Sequence, residues 1–181
     1  MLLSKLGMII VVFTVLIHQN DHKLIHAISS EENLGTGSQP EIAVDGEGTI
    51  RIVYGVKNGK ERDLYYVSSS DGGKSYSKPV VVGSFLQMGL GMGRGPQLTT
   101  TKDYTVVTVG DHDRNLFSVN LSKKTNQWSA PVKVNDADTT AKEALSGLGA
   151  GKDNFVYTAW LDSRLGNNNL YGALSTDGGL T

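Results

Sequence analysis

Three short phrases in this chain bring guanidinium and carboxylate groups close together: "GRGPQL" (93–98), "GDHDRN" (110–115) and "LDSR" (161–164). Arg94, Arg114 and Arg164 each offer a planar fork of donors that pairs bidentately with a carboxylate. Asp111, Asp113 and Asp162 can exchange a proton where their surroundings keep the acid form populated, and otherwise pair with a nearby cation. Each phrase has a plain structural alternative. Arg94 can be tied to a neighbouring element by an ion pair. Asp111 and Asp113 can be solvated or paired with Arg114, and Asp162 can hold Arg164. His112 suits an exposed loop better than a proton relay. Glu143, in "TAKEAL" (140–145), either opens a strand facing the same region or lies on a short exposed helix. "NDAD" (135–138) lacks the spaced run of ligands of a dedicated calcium loop, so no metal and no cofactor are expected. Asn120-Leu121-Ser122 has the pattern of a glycosylation acceptor.

A repeat supplies the elements that position these groups. "SSSDGGKSY" (68–76) returns as "STDGGLT" (175–181). In register, Ser69, Asp71, Gly73 and Ser75 match Ser175, Asp177, Gly179 and Thr181, with the two aspartates 106 residues apart, and the second copy stops before a counterpart of Tyr76. A worn copy lies midway: "YSKPVVV" (76–82) returns as "WSAPVKV" (128–134), although "SKKTNQ" (122–127) has lost the aspartate and glycines. "QPEIAV" (39–44) is echoed by "GPQLTT" (95–100), and "GTIRIVY" (48–54) by "DYTVVTV" (103–109) and "NFVYTAW" (154–160). A period of about 50 residues marks a repeat array.

Each unit reads as about four short strands, in the first at roughly 40–45, 49–56, 63–69 and 76–82. Four antiparallel strands per unit make a propeller blade, and blades must stack because one sheet cannot bury both faces. The expected fold is therefore all-β, a β-propeller over residues 28–181, with blades at about 39–83, 94–134 and 143–181. The recurring turn has a mechanical reason. Gly72 and Gly73 tolerate positive φ, the Asp71 carboxylate accepts backbone N–H groups inside the turn, and the Tyr76 ring is expected to pack between blades.

Strand parity then separates two ends. Loops after the first and third strands of a blade share one end with the aspartate turns, and they are short. Loops after the second strand, and those joining blades, fall at the opposite end: 56–63, 83–95, 110–115, 134–144 and 161–169. These are longer and richer in Arg and Asp, so a site is expected there.

The Ser-x-Asp-x-Gly-x-Thr/Ser-aromatic phrase at a blade period resembles the Asp-box of the sialidase (neuraminidase) superfamily. The resemblance covers residues 38–181 and implies a six-bladed propeller of which this chain supplies just under three blades. "GRGPQL" resembles the Arg-Ile-Pro-x-Leu phrase of sialidases, with Gly95 in place of Ile. By that resemblance Arg94 grips a sialic acid carboxylate, and Asp111 or Asp113 is the acid/base. Arg114, Glu143, Asp162 and Arg164 are further substrate-binding candidates, and "AWLDSR" (159–164) resembles a phrase common in bacterial Asp-box proteins. The family's tyrosine nucleophile and glutamate base would come from later blades. The implied function is a secreted sialidase-like glycoside hydrolase acting on terminal sialic acid. The alternative is a non-catalytic propeller that binds carbohydrate or protein.

Composition narrows the partners. The 181 residues carry a formal net charge of -1, which gives no basic footprint for nucleic acid. Cysteine is absent, so disulfides and thiolate metal sites are excluded. Lys5 followed by "LGMIIVVFTVLI" (6–17) reads as a secretory signal peptide over residues 1–27, since the apolar run itself is too short to span a bilayer. A secreted or periplasmic location follows, with membrane contact only through that segment if it stays uncleaved. The partner expected is a glycan ending in an acidic sugar.

Overall fold

The computed structural model of the chain describes residues 31–181, and for residues 143 and 144 the backbone alone. The expected signal peptide lies outside them. The described residues form twelve strands and no helix.

The first sheet contains β1 (Ser38–Val44), β2 (Ile50–Asn58), β3 (Glu61–Ser69) and β4 (Val80–Leu86) in sequence order, each antiparallel to the next. The second contains β5 (Gln97–Thr100), β6 (Tyr104–Gly110) and β7 (Leu116–Ser122). Its outer strand is broken into β8 (Gln127–Trp128) and β9 (Val132–Lys133), both paired to β7. The third contains β10 (Ala141–Ala150), β11 (Val156–Asp162) and β12 (Asn169–Ser175). β1 lies beside β5, and β5 beside β10, so the first strands of the three sheets sit together and the sheets radiate from them. This is the blade arrangement of a β-propeller.

Alternation explains the strands. β12 reads "NLYGALS" with exposure switching at every residue. β2 and β6 are buried on both faces and read as near-continuous Val/Ile/Thr/Tyr runs. Between the first two sheets lies the main core, with Val53, Leu64 and Tyr66 from one side and Val107, Val109 and Val119 from the other. Tyr66 meets Trp128 edge to face at 5.3 Å between ring centroids, a geometry the ring quadrupoles favour. The second and third sheets meet through Leu116 and Val134 on one side and Ala141, Trp160 and Ala173 on the other.

Three details differ from the sequence reading. The fourth strand of the first sheet starts at Val80 rather than near residue 76, because residues 76–79 finish the turn. Glu143 falls on strand β10, not on a helix. The Tyr76 ring packs on Ile52, Tyr54 and Val67 of its own sheet, on the face turned away from the second sheet, rather than between these blades.

Candidate functional site

The end of the array away from the Asp71 and Asp177 turns carries a cleft of about 420 Å³. Arg62, Gln87, Leu90, Met92, Arg94, Asp111, His112 and Arg114 are among its walls. Every one comes from a loop, or the edge of a loop, that strand parity assigned to this end.

The wall formed by residues 87–94 is tightly built. Gly91 and Arg94 exchange two backbone hydrogen bonds, at 3.3 and 3.0 Å, which close a tight turn with Met92 at its tip. The guanidinium of Arg62 donates to the carbonyl of Met88, whose side chain is completely buried. Leu90 lies so close to Gly55 that a Cβ there would sit 2.2 Å from a Leu90 methyl carbon. Gly95 has a comparable reason. A Cβ at that position would meet the Gln39 Cβ at 2.6 Å, so the lead-in to β5 passes too close to the start of β1 for isoleucine.

The facing wall is the "GDHDRN" loop. The Asn115 N–H donates to the Asp111 carboxylate at 2.9 Å, and the Asp111 N–H to the Asn115 carbonyl at 3.0 Å. Two further bonds lash this loop to the first sheet: His112 N–H to Leu86 O at 2.9 Å and Gly89 N–H to Gly110 O at 3.3 Å. Burial pushes the Asp111 carboxyl above its ordinary range, and the neighbouring Asp113 charge adds to the shift, outweighing the Asn115 N–H. Arg94 and Asp111 therefore line one cleft, with Arg114 beside them. Asp113 does not line it. With His112, Arg114 and Thr139 it borders an adjoining open hollow of about 300 Å³.

Backbone strain singles out the same end. Among the described residues, seven other than glycine have positive φ. Asn126 and Asp153 are at the end that carries the Asp71 and Asp177 turns and are types that tolerate this conformation. The other five, Gln39, Gln87, Met92, Arg114 and Thr139, lie at the cleft end and are not. Three of these line the cleft. Non-glycine residues in such regions cost about 1–3 kcal/mol each and concentrate at ligand sites.

Asp162 and Arg164 do not line this cleft. Asp162 is 0% exposed and takes hydrogen bonds from Thr140 Oγ1 (2.9 Å), Trp160 Nε1 (3.0 Å) and Arg164 Nε (2.9 Å). Arg164 also pairs with Asp136 at 2.8 Å and covers the Tyr171 ring at 4.0 Å. Their polar capacity is spent on the joint between the second and third sheets. The Arg164 hydrogen bonds hold the Asp162 carboxyl far below its ordinary range. Glu143 sits on β10 by its backbone. Asn120, in the glycosylation pattern, is 1% exposed and donates to Gly179 O at 2.8 Å, so the folded chain offers no acceptor there.

The residues of the repeated Ser-x-Asp-x-Gly phrase form the turns expected of them. Asp71 Oδ1 accepts from the N–H groups of Lys74 and Ser75, each at 3.0 Å, and from Ser69 Oγ at 2.8 Å; Ser75 Oγ donates to Oδ2 at 2.6 Å. Ser69 Oγ in turn accepts from Gly73 N–H at 2.9 Å. Asp177 repeats the pattern with Leu180, Thr181 and Ser175, and Gly179 N–H reaches Ser175 Oγ at 2.8 Å. Both turns lie at the end opposite the cleft.

Sequence reasoning passed over Arg62, Gln87, Leu90 and Met92. Their signal was present but weak: all four fall within 56–63 or 83–95, two of the five longer segments that strand parity assigned to the cleft end.

No family model matches the chain, and no curated protein matches it. Solved structures do. An α-L-arabinanase from Penicillium chrysogenum, determined with arabinobiose, superposes with a TM-score of 0.55 at 15% identity. It covers 77% of this chain and 46% of its own. An α-L-arabinofuranosidase from Fusarium graminearum, determined with an iminosugar inhibitor, superposes at 0.49 with 16% identity, over 78% of this chain and 47% of its own. The chain thus spans about half the length of the arabinanase. The likeness shows the fold, that of β-propeller glycosidases.

Proposed function

We propose that the cleft holding Arg94 and Asp111 binds a terminal acidic sugar and that the chain belongs to a secreted, sialidase-like glycoside hydrolase. The observation that carries this reading is one juxtaposition. Arg94 supplies a fork for a sugar carboxylate, and Asp111, on the facing wall, is a carboxyl whose proton is held more tightly than usual. Protonation of a glycosidic oxygen requires such a group. The proton passes from Asp111 to the departing oxygen as its bond to the anomeric carbon breaks. The oxygen of a water molecule takes its place on that carbon, and the proton that this water sheds balances the one Asp111 gave up. Arg94 and Arg114 offset the negative charge of the bound sugar. The glycosidase folds that resemble this one support a glycan over other partners.

A second reading keeps the ligand and drops the reaction. Among the described residues that line the cleft, Asp111 is the single carboxylate. Glycoside hydrolysis normally employs two. Under this reading the chain recognises an acidic glycan without cleaving it.

A panel of sialosides, uronic acid glycosides and neutral arabino-oligosaccharides separates these readings, with binding and sugar release measured in parallel. Release of acidic sugars supports the hydrolase, and binding without release supports the recognition module. Binding confined to the neutral arabino-oligosaccharides would contradict both.

A further inference from the structure

The chain has five arginines, and they fall into two groups. Arg51 and Arg164 are neutralised by carboxylates, Arg51 on Asp45 at 2.7 Å and Arg164 on Asp162 and Asp136 at 2.9 and 2.8 Å. Arg62, Arg94 and Arg114 all line the cleft. Among the described residues, no carboxylate forms an ion pair with Arg62 or with Arg114. The carboxylates nearest them in sequence have other partners. Asp63 is buried and accepts from Asn58 Nδ2 at 3.0 Å and from Ser84 Oγ at 2.6 Å. Asp111 accepts from the Asn115 N–H.

Arg62 is half-buried, and its guanidinium donates to the Met88 carbonyl. A guanidinium has five donors, so most of them stay available at the cleft wall. Partial burial of a charge costs free energy that an opposite charge normally offsets. Arg114 is exposed, yet its backbone is held. It has a φ of 60°, its N–H donates to Asp111 O at 3.3 Å, and its carbonyl accepts from the Ala141 N–H at 2.9 Å. The bond from His112 N–H to Leu86 O fixes the loop of Arg114 against the first sheet, which carries Arg62. Both arginines stand on the first two sheets, whose joint is fully formed here.

Positive charge gathered in a concave site draws anionic ligands. At about 420 Å³ the cleft has the size of a small-molecule site, so both walls can contact one sugar. A sugar carboxylate spends both oxygens on one bidentate fork. Arg62 and Arg114 therefore retain capacity beyond the carboxylate assigned to Arg94. A sulfate or phosphate ester has three terminal oxygens and can accept from two forks at once. We infer that the cleft takes an acidic sugar bearing a second anionic group, a sulfate or phosphate ester, which Arg62 and Arg114 receive from opposite walls. This rests on the acidic-sugar reading of the cleft and narrows its substrate class.

Calorimetric titration of the full-length protein with a sialoside and its esters tests this. Each free hydroxyl of the sialoside carries in turn a sulfate, a phosphate or a neutral acetate. At one position or more, the sulfate or the phosphate should bind about tenfold or more tightly than the parent, and the acetate should not. A gain from one oxyanion alone identifies which ester the protein takes. The gain should shrink as salt is raised. Arg62→Gln and Arg114→Gln should each lower the ratio of ester to parent affinity. Arg62→Lys should restore only part of it, because an ammonium lacks the fork. The ratio stays readable in a variant that binds every probe more weakly. A parent sialoside that binds as tightly as all its charged esters would overturn the inference and leave the acidic-sugar reading standing. An equal gain from acetate, or a ratio unchanged in both glutamine variants, would also overturn it. A charged ester that binds equally well after reduction of the sugar carboxyl would overturn the carboxylate reading and keep the ester seat. Failure of the parent and every ester to bind would overturn both.

Discussion

Asn120 Nδ2 donates to the carbonyl oxygen of Gly179 at 2.8 Å, which docks the second aspartate turn onto the sheet before it. The turn is therefore more than a chain reversal. Gly178 packs against Tyr104, and Gly179 against Ser118, both on the second sheet. Close approach of two backbones requires glycine as much as the positive φ does.

Gly178→Ala tests this docking against Gly48→Ala. Both positions have nearly the same φ, +81° and +82°, so both variants bear the same backbone strain. A Cβ at Gly178 would meet the Tyr104 ring at 2.3 Å, whereas at Gly48 nothing lies within 4 Å. Urea unfolding should show Gly178→Ala the less stable of the two by about 1–3 kcal/mol, the usual cost of overpacking. Equal stabilities would mean that the turn does not dock.

Much of this was legible in the sequence. Asp71 and Asp177 announced the turns because each turn needs the same acceptors, and the 106-residue spacing announced the repeat. Strand parity placed Arg94 and "GDHDRN" at one end because antiparallel strands must alternate. Side-chain partnership was not legible. Nothing in "LDSR" distinguishes an arginine that reaches a ligand from one clamped by Asp162 and Asp136, since Asp136 approaches from a distant segment. Arg62 was hidden for the same reason: its acceptor, Met88 O, lies 26 residues away. Gly178 read as a turn glycine, and its contact with Tyr104 depends on how sheets stack rather than on local pattern.

Asp162 should make the fold sensitive to acid. Arg164 and the other donors hold its folded-state pKa below the unfolded value of 3.8. The stabilisation is therefore complete above that value and is lost as pH falls through the lower folded value. Asp162→Ala should cost on the order of 3 kcal/mol at neutral pH, because it leaves buried donors without an acceptor. The difference from wild type should narrow below the ordinary carboxylate range. Parallel stability curves down to strong acid would show that the carboxylate is not the source.

Asp111 should behave in the opposite sense. Its folded-state pKa is raised, by burial first and then by Asp113, so ionisation costs stability as pH rises from 3.8 through the folded value. Asp111→Asn should therefore gain on wild type between strong acid and neutrality, as read by thermal melts at several pH values. If the full-length protein hydrolyses glycosides, Asp113→Asn should move the alkaline limb of kcat/KM to lower pH by removing a neighbouring negative charge. A limb that stays in place would exclude Asp111 as the titrating acid.

The most direct test of the cleft is carboxylate recognition by Arg94. Calorimetric titration of wild type, Arg94→Ala and Arg94→Lys with a sialoside, and with the same glycan reduced at its carboxyl to the alcohol, isolates that contact. Loss of a bidentate charged pair costs about 2–5 kcal/mol, and an ammonium cannot reproduce the fork. Wild type should prefer the acidic glycan strongly, and both variants should lose that preference while binding the reduced glycan as wild type does. Undiminished preference for the acid in Arg94→Ala would contradict the assignment of this cleft to an acidic sugar.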